Sequence, residues 1–150
     1  MKCNLNHLLN EGLLAKIPKS KEKADGSIKA AKEWLAEANN NFSNKLHKSS
    51  VLTAYLGMFH SARAILYLDG FREKSHFAVA RYLEAVYVTA KKLEKEWVEL
   101  LDYCRELRHN DQYRTSFFVS AEEAEDYVKK AESFVKRIEK LIEEVRENGK

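Results

Sequence analysis

Ala121-Glu122-Glu123-Ala124-Glu125-Asp126-Tyr127-Val128-Lys129-Lys130-Ala131-Glu132-Ser133-Phe134-Val135-Lys136-Arg137-Ile138-Glu139-Lys140-Leu141-Ile142-Glu143-Glu144-Val145 is the stretch that decides the fold. Its apolar residues, at 124, 127, 128, 131, 134, 135, 138, 141, 142 and 145, keep a three- and four-residue step without a break, so they form one stripe along an α-helix. Ser120 followed three residues later by Glu123 is the reciprocal capping pattern of a helix start. The opposite face alternates lysine and glutamate, a solvated surface and not a binding site. A helix with one long greasy stripe has to lay it on other helices.

The rest of the chain supplies those partners. From Ser49 or Ser50, either of which can cap it, a helix through Val51, Leu52, Tyr55, Leu56, Phe59, Ala62, Leu66 and Leu68 is apolar around most of its circumference, which makes it central. Asp69-Gly70 reads as its stop and Phe71 to Lys74 as a connection. Ser75 is a cap for a helix with Val79, Leu83, Val86, Ala90 and Leu93, which continues or bends near Leu93-Glu94 into one marked by Trp97, Leu100, Leu101, Cys104 and Leu107. Before the central helix, Ala24, Ile28, Ala31, Leu35, Ala38 and Phe42 hold a helical step from about Ser20 to Leu46. Gly26 leaves its start open between Ser20, Asp25 and Ser27, and Asn39-Asn40-Asn41 weakens its end. Asn6 to Ala15 is a short amphipathic flap redirected at Pro18. No strand alternation, internal repeat or linker is evident. The expectation is one all-α domain over residues 1–150, an up-and-down antiparallel bundle of four to five long helices.

Composition narrows the function classes. With 150 residues, 45% apolar and 33% charged, one proline and five glycines, the chain reads as a helix-rich globular domain. A net charge of +3 is too small for a nucleic-acid footprint by itself, so phosphate binding would need local clustering. Cys3 and Cys104 lie far apart, with no spacing for zinc or a redox pair. The scattered glycines form no phosphate loop, and there is no His-Glu-x-x-His pattern, so neither a metal nor a cofactor is expected. No leader pattern opens the chain, and the longest apolar stretch, Val51 to Leu68, is interrupted by His60 and Arg63. A cytoplasmic protein without a membrane span is therefore expected.

Chemistry concentrates in Cys104-Arg105-Glu106-Leu107-Arg108-His109-Asn110-Asp111-Gln112-Tyr113-Arg114. Arg108 ends the buried stripe, where an unpaired guanidinium is costly; Asp111 one turn on can answer it from within, or a phosphate from outside. Arg105, His109 and Tyr113, spaced four apart, line a second edge with a guanidinium, an imidazole and a phenol. Five residues separate Arg108 from Tyr113, roughly 140° around a helix. Both meet one ligand only if the helix loosens near Asn110-Asp111, or if a second subunit brings its own copy. His60, Arg63 and His76 form a second tier, to be weighed against simple pairing with acids or carbonyls inside the bundle.

Arg108, the polar His109, three more residues and Tyr113 resemble the HEPN signature, in which an arginine is followed by a polar residue and then, after four to six positions, a histidine. Tyrosine stands here in the histidine's place. Leu8 to Leu13 with Lys16-Ile17-Pro18, Ala54 to Ala64, Gly70, Ser75-His76 and Ser120 to Ala124 are similar to an uncharacterised prokaryotic branch of that superfamily. The resemblance implies a homodimer whose Arg108-to-Tyr113 segment borders a cleft for RNA or nucleotide phosphate, with Arg105, Arg108, Asp111, Tyr113, His60 and Arg63 as contacts. In RNA-cleaving relatives the histidine moves protons at the ribose 2′-hydroxyl while the arginine steadies the phosphate; here Arg108, His109 and Tyr113 would hold the catalytic places. A phenol, with its pKa near 10, is a poor base at neutral pH. The resemblance therefore implies a toxin-like partner of a minimal nucleotidyltransferase with ribonuclease activity weak or lost, the nucleotidyl acceptor in some relatives being a tyrosine near the motif. Two alternatives stay open: an active metal-independent ribonuclease using Arg108 with His109 or Tyr113, and a non-catalytic helical adaptor.

Overall fold

The computed structural model describes residues 4–113 and 118–148, the side chains of residues 110–113 excepted. The described chain is all-α with one small strap: α1 (Leu5–Asn10), β1 (Leu14–Lys16), α2 (Lys21–Ser43), α3 (His47–Asp69), β2 (Phe71–Glu73), α4 (His76–Leu83), a π-helical turn (Glu84–Val88), α5 (Lys95–Tyr113) and α6 (Ala121–Asn148). Helices α2 and α3 form a long antiparallel pair, α6 lies across both, and α5 and α4 pack against α3 from another side. The helical bundle expected from periodicity is what forms.

Local sequence explains most boundaries. Ser20 caps α2 by accepting from the Lys23 amide, so the helix takes the earliest of its possible starts and absorbs Gly26. The asparagine run does not end it, because the Ala24–Ala31–Ala38 stripe is held against α3. Ser120 and Glu123 exchange hydrogen bonds at the head of α6 as their spacing predicts. Helix α3 starts earlier than expected: it begins at His47, and Ser50, fully buried, bonds back to the His47 carbonyl instead of capping. It is long and apolar enough to cross a membrane by length and composition, but it is the core helix, most of its surface covered by its neighbours. At Gly57 an added Cβ would sit 2.9 Å from Leu35 Cδ2 and 3.3 Å from the Ala31 carbonyl oxygen, so glycine lets α2 and α3 close up there.

Two features were not legible from periodicity. Residues 71–73, expected as plain connection, pair antiparallel with Leu14–Lys16, Leu14 opposite Glu73 and Lys16 opposite Phe71. Gly70, at φ +89°, makes the turn out of α3 that this strap needs, and its carbonyl accepts from the Ile17 amide. The second is the π turn after α4. Tyr82 and Tyr87 are five apart, which would splay them on an α-helix; a turn closed five residues back lets both phenols donate to one Asp69 carboxylate oxygen, each at 2.6 Å. Of the two readings, continuation or a bend near Leu93-Glu94, that turn and the loop after it make it a bend before α5. Glu94 fastens the loop by accepting from Trp97 and Arg137, which hold its carboxyl down at about 2.

Candidate functional site

The site grows from one ridge of α3. Tyr55, Phe59, Arg63 and Tyr67 follow one another at four-residue steps and so stand in line along the helix. His76, the first residue of α4, lies flat on this line: its ring stacks on Phe59 with centroids 3.9 Å apart and planes 6° from parallel, and on Tyr55 at 5.7 Å. Ser75, capping α4 through a bond from the Ala78 amide, sets His76 in that position. Arg63 reaches over Phe59, 4.9 Å from its centroid, and is answered by Glu73, which the β strap turns inward. Glu73 is almost wholly buried, its side chain 4% exposed.

From α5 comes Arg108. Its guanidinium carbon sits 5.4 Å from the centroid of the Tyr55 ring, and one terminal nitrogen is 3.4 Å from His76 Nδ1. Tyr55 Oη is 3.0 Å from the same Nδ1. No carboxylate among the described side chains meets Arg108, and its Nε–H is out of solvent with no hydrogen-bond partner among them. One helical turn back, Arg105 and, from α4, Arg81 share the single carboxylate of Asp102, and both guanidiniums lie about 5 Å from the Phe77 ring centroid (5.2 and 5.1 Å). The Arg105 Nε–H is likewise buried without a hydrogen-bond partner among the described residues, and the buried Arg81 Nε–H has only the Glu84 carboxylate, 3.9 Å away. Three guanidiniums set against the Asp102 carboxylate and, beside Arg81 alone at 3.9 Å, that of Glu84 leave the neighbourhood electropositive.

These groups border an open cleft of about 760 Å³ lined by Ser75, His76, Phe77, Arg105, Glu106, Arg108 and His109. Phe77, 40% exposed, also lines a second cleft of about 830 Å³ whose rim carries Arg81, Lys91 and Lys95. The electrostatics follow from the crowding of cations. Burial, and then the Arg108, Arg63, His60 and Arg105 charges in that order, push the His76 imidazole down to about 4, so it is neutral near pH 7. Burial raises the Tyr55 phenol out of titration range, so its hydroxyl keeps its proton. His60 is lowered by burial and by Arg63. Cys104 is buried in the α5 stripe, its thiol pushed up to about 12, and is core.

Of the residues singled out from sequence, Arg105, Arg108 and His109 come together on this cleft. Asp111 and Tyr113 lie outside the described side chains, although α5 runs unbroken through 113, so loosening near Asn110-Asp111 does not occur. His60 and Arg63 are not on the cleft: His60 stacks with Trp34 at 6.5 Å, and Arg63 is committed to Glu73. Expected in the second tier, His76 proves to be the hub. One cue was available, since Arg81 interrupts an otherwise apolar face four residues after Phe77. The long-range partners were not.

Comparison with known proteins agrees with the architecture. The HEPN domain model matches residues 24–141, which takes in α2 through most of α6. The chain is similar to "Putative toxin MJ0605" of Methanocaldococcus jannaschii, 32% identical over 125 residues that cover 83% of this chain and 92% of the relative. It is also similar to "UPF0332 protein PH1297" of Pyrococcus horikoshii, 30% identical over 84 residues, 56% of this chain and 59% of that one. The long α2–α3 pair crossed by α6, with the arginine cluster of α5 at its flank, thus belongs to a protein of the HEPN domain family.

Proposed function

We propose that this protein recognises phosphate, of RNA or of a nucleotide, at the α4–α5 cleft, and acts as the toxin-like member of a pair with a minimal nucleotidyltransferase. The observation that carries the reading is Arg108: a guanidinium at a cleft, stacked on Tyr55, met by no carboxylate among the described side chains, with a buried Nε–H lacking an acceptor. A phosphate entering the cleft can accept from the terminal N–H groups, which are not among the buried unpartnered atoms, and supply the counter-charge that arginine's fork suits. The Methanocaldococcus jannaschii relative, whose name is "Putative toxin MJ0605", supports the toxin-like role.

Ribonuclease activity is weak or lost in this reading, because Tyr113 stands where the family's histidine would and a phenol does not take a proton readily at pH 7. The unbroken α5 separates positions 108 and 113 by roughly 140° around its axis, so one ligand meets both only across two copies, which favours the homodimer. The test is a titration of fluorescein-labelled single-stranded RNA, and separately of ATP, at several salt concentrations. Affinity that falls with salt and drops at least tenfold in Arg108→Ala is expected. Equal affinity in wild type and Arg108→Ala overturns the reading, and no binding by either leaves the helical adaptor in its place. RNA degradation that survives Arg108→Ala would belong to some other site.

A further inference from the structure

We infer that His76 is a second phosphate-binding residue of this cleft, presenting a fixed Nε2–H donor beside Arg108. The inference rests on the reading above and adds a residue and a protonation form to it. The argument is one of donors and acceptors. Arg108 has only N–H groups to offer and stands 3.4 Å from His76 Nδ1; Tyr55, whose buried hydroxyl keeps its proton, stands 3.0 Å from the same atom. A protonated Nδ1 would face a guanidinium donor at that distance, so Nδ1 is the acceptor and the ring proton is on Nε2. A second proton is opposed from every side: Arg105 and Arg108 face the ring from α5, and Arg63 and His60 from α3. Nε2 has no partner among the described residues, yet it is not one of the buried unpartnered nitrogens, so it opens onto the cleft that His76 lines. The parallel stack on Phe59 holds the ring in plane, and the α4 amino end behind it adds a favourable field for an anion. Tyr55 is the positioning residue, bonding Nδ1 while its ring carries Arg108.

The native protein tests the donor directly. Long-range 15N–1H spectra should show His76 with an unprotonated Nδ1 and a protonated Nε2 across pH about 6 to 8, with the Nε2–H resonance shifting when inorganic phosphate is added. A protonated Nδ1, or a resonance indifferent to phosphate that shifts the Arg108 side chain, overturns the inference. In the binding arm, His76→Phe keeps the stack and removes both nitrogens, and should weaken labelled RNA and ATP alike by about tenfold. His76→Gln, which restores a donor near Nε2, should recover to within about threefold. Weakening for RNA but not ATP assigns His76 to the polynucleotide backbone, and the reverse assigns it to nucleotide phosphate. Wild-type affinity in His76→Phe with loss in Arg108→Ala sinks this inference alone; wild-type affinity in Arg108→Ala sinks the phosphate site as a whole.

Discussion

Arg63 and Arg108 stand at two ends of one aromatic ridge, Arg63 over Phe59 and Arg108 over Tyr55, with His76 stacked between. Among the described side chains, only one of them is answered by a carboxylate. Arg63 meets Glu73, a buried carboxylate delivered by a three-residue strand, while Arg108 meets a neutral imidazole and a ring face. The same side chain on the same wall is therefore a tie between α3 and the strap in one case and, among the described side chains, a cation without a carboxylate in the other. What separates them is not the ridge but the element that crosses it. The β strap brings an acid to Arg63, and the start of α4 brings a histidine to Arg108.

Cutting the answered pair is the harshest way to strain this contrast. Glu73→Ala leaves Arg63 facing a mostly buried gap and should destabilise the protein by about 3 kcal/mol, read from urea unfolding. Replacing both partners, Arg63→Met with Glu73→Leu, should recover most of that loss; if it does not, the pair does more than hold the strap. Asp69→Ala strips the common acceptor from Tyr82 and Tyr87 and should cost about 2 to 3 kcal/mol. A near-neutral result would mean that the π turn is held by packing alone. The unanswered arginine should behave in the opposite way. Arg108→Ala should shift the thermal midpoint by no more than about 1 kcal/mol equivalent while abolishing salt-dependent RNA binding, and a large loss of stability there would erase the difference between the two sites.

The smallest effect is in pH. His76 titrates near 4 in the folded chain, below its ordinary value of about 6.5, so as pH falls the unfolded chain takes the proton first. Its contribution is thus complete above about pH 6.5 and is lost progressively between there and about 4. Allowing for partial exposure, wild type should lose on the order of 1 kcal/mol more than His76→Phe between pH 7 and pH 4.5. Identical slopes would show that the imidazole is not held neutral by its surroundings.

The long stripes of α2, α3 and α6 were legible because burial on one side imposes a period that no loop imitates. The capping box of α6 was equally local. The strap was not: Leu14–Lys16 and Phe71–Glu73 are each too short for alternation to show, and their pairing depends on Gly70 turning the chain back on itself. The π turn was invisible for a similar reason, since the acceptor that Tyr87 shares with Tyr82 is a carboxylate on α3, distant in sequence. At the site, the concentration of arginine and histidine on α5 was evident, but which of them lay on a cleft, and against what, was not. Arg63 and Arg108 look alike in sequence, each a cation set in an apolar helical stripe.

By itself the sequence determined that the chain is a helical bundle, which helices make it, and that Arg108 ends a buried stripe. Those are consequences of periodicity and of the cost of burying charge, both properties of a single segment. Only the tertiary structure decided that Glu73 takes Arg63, that His76 and Tyr55 take Arg108, and that the space beside them stays open. Hydrogen-bond partners and unmet donors belong to pairs of elements distant in the chain, and a pair has no spacing to read until the chain has folded.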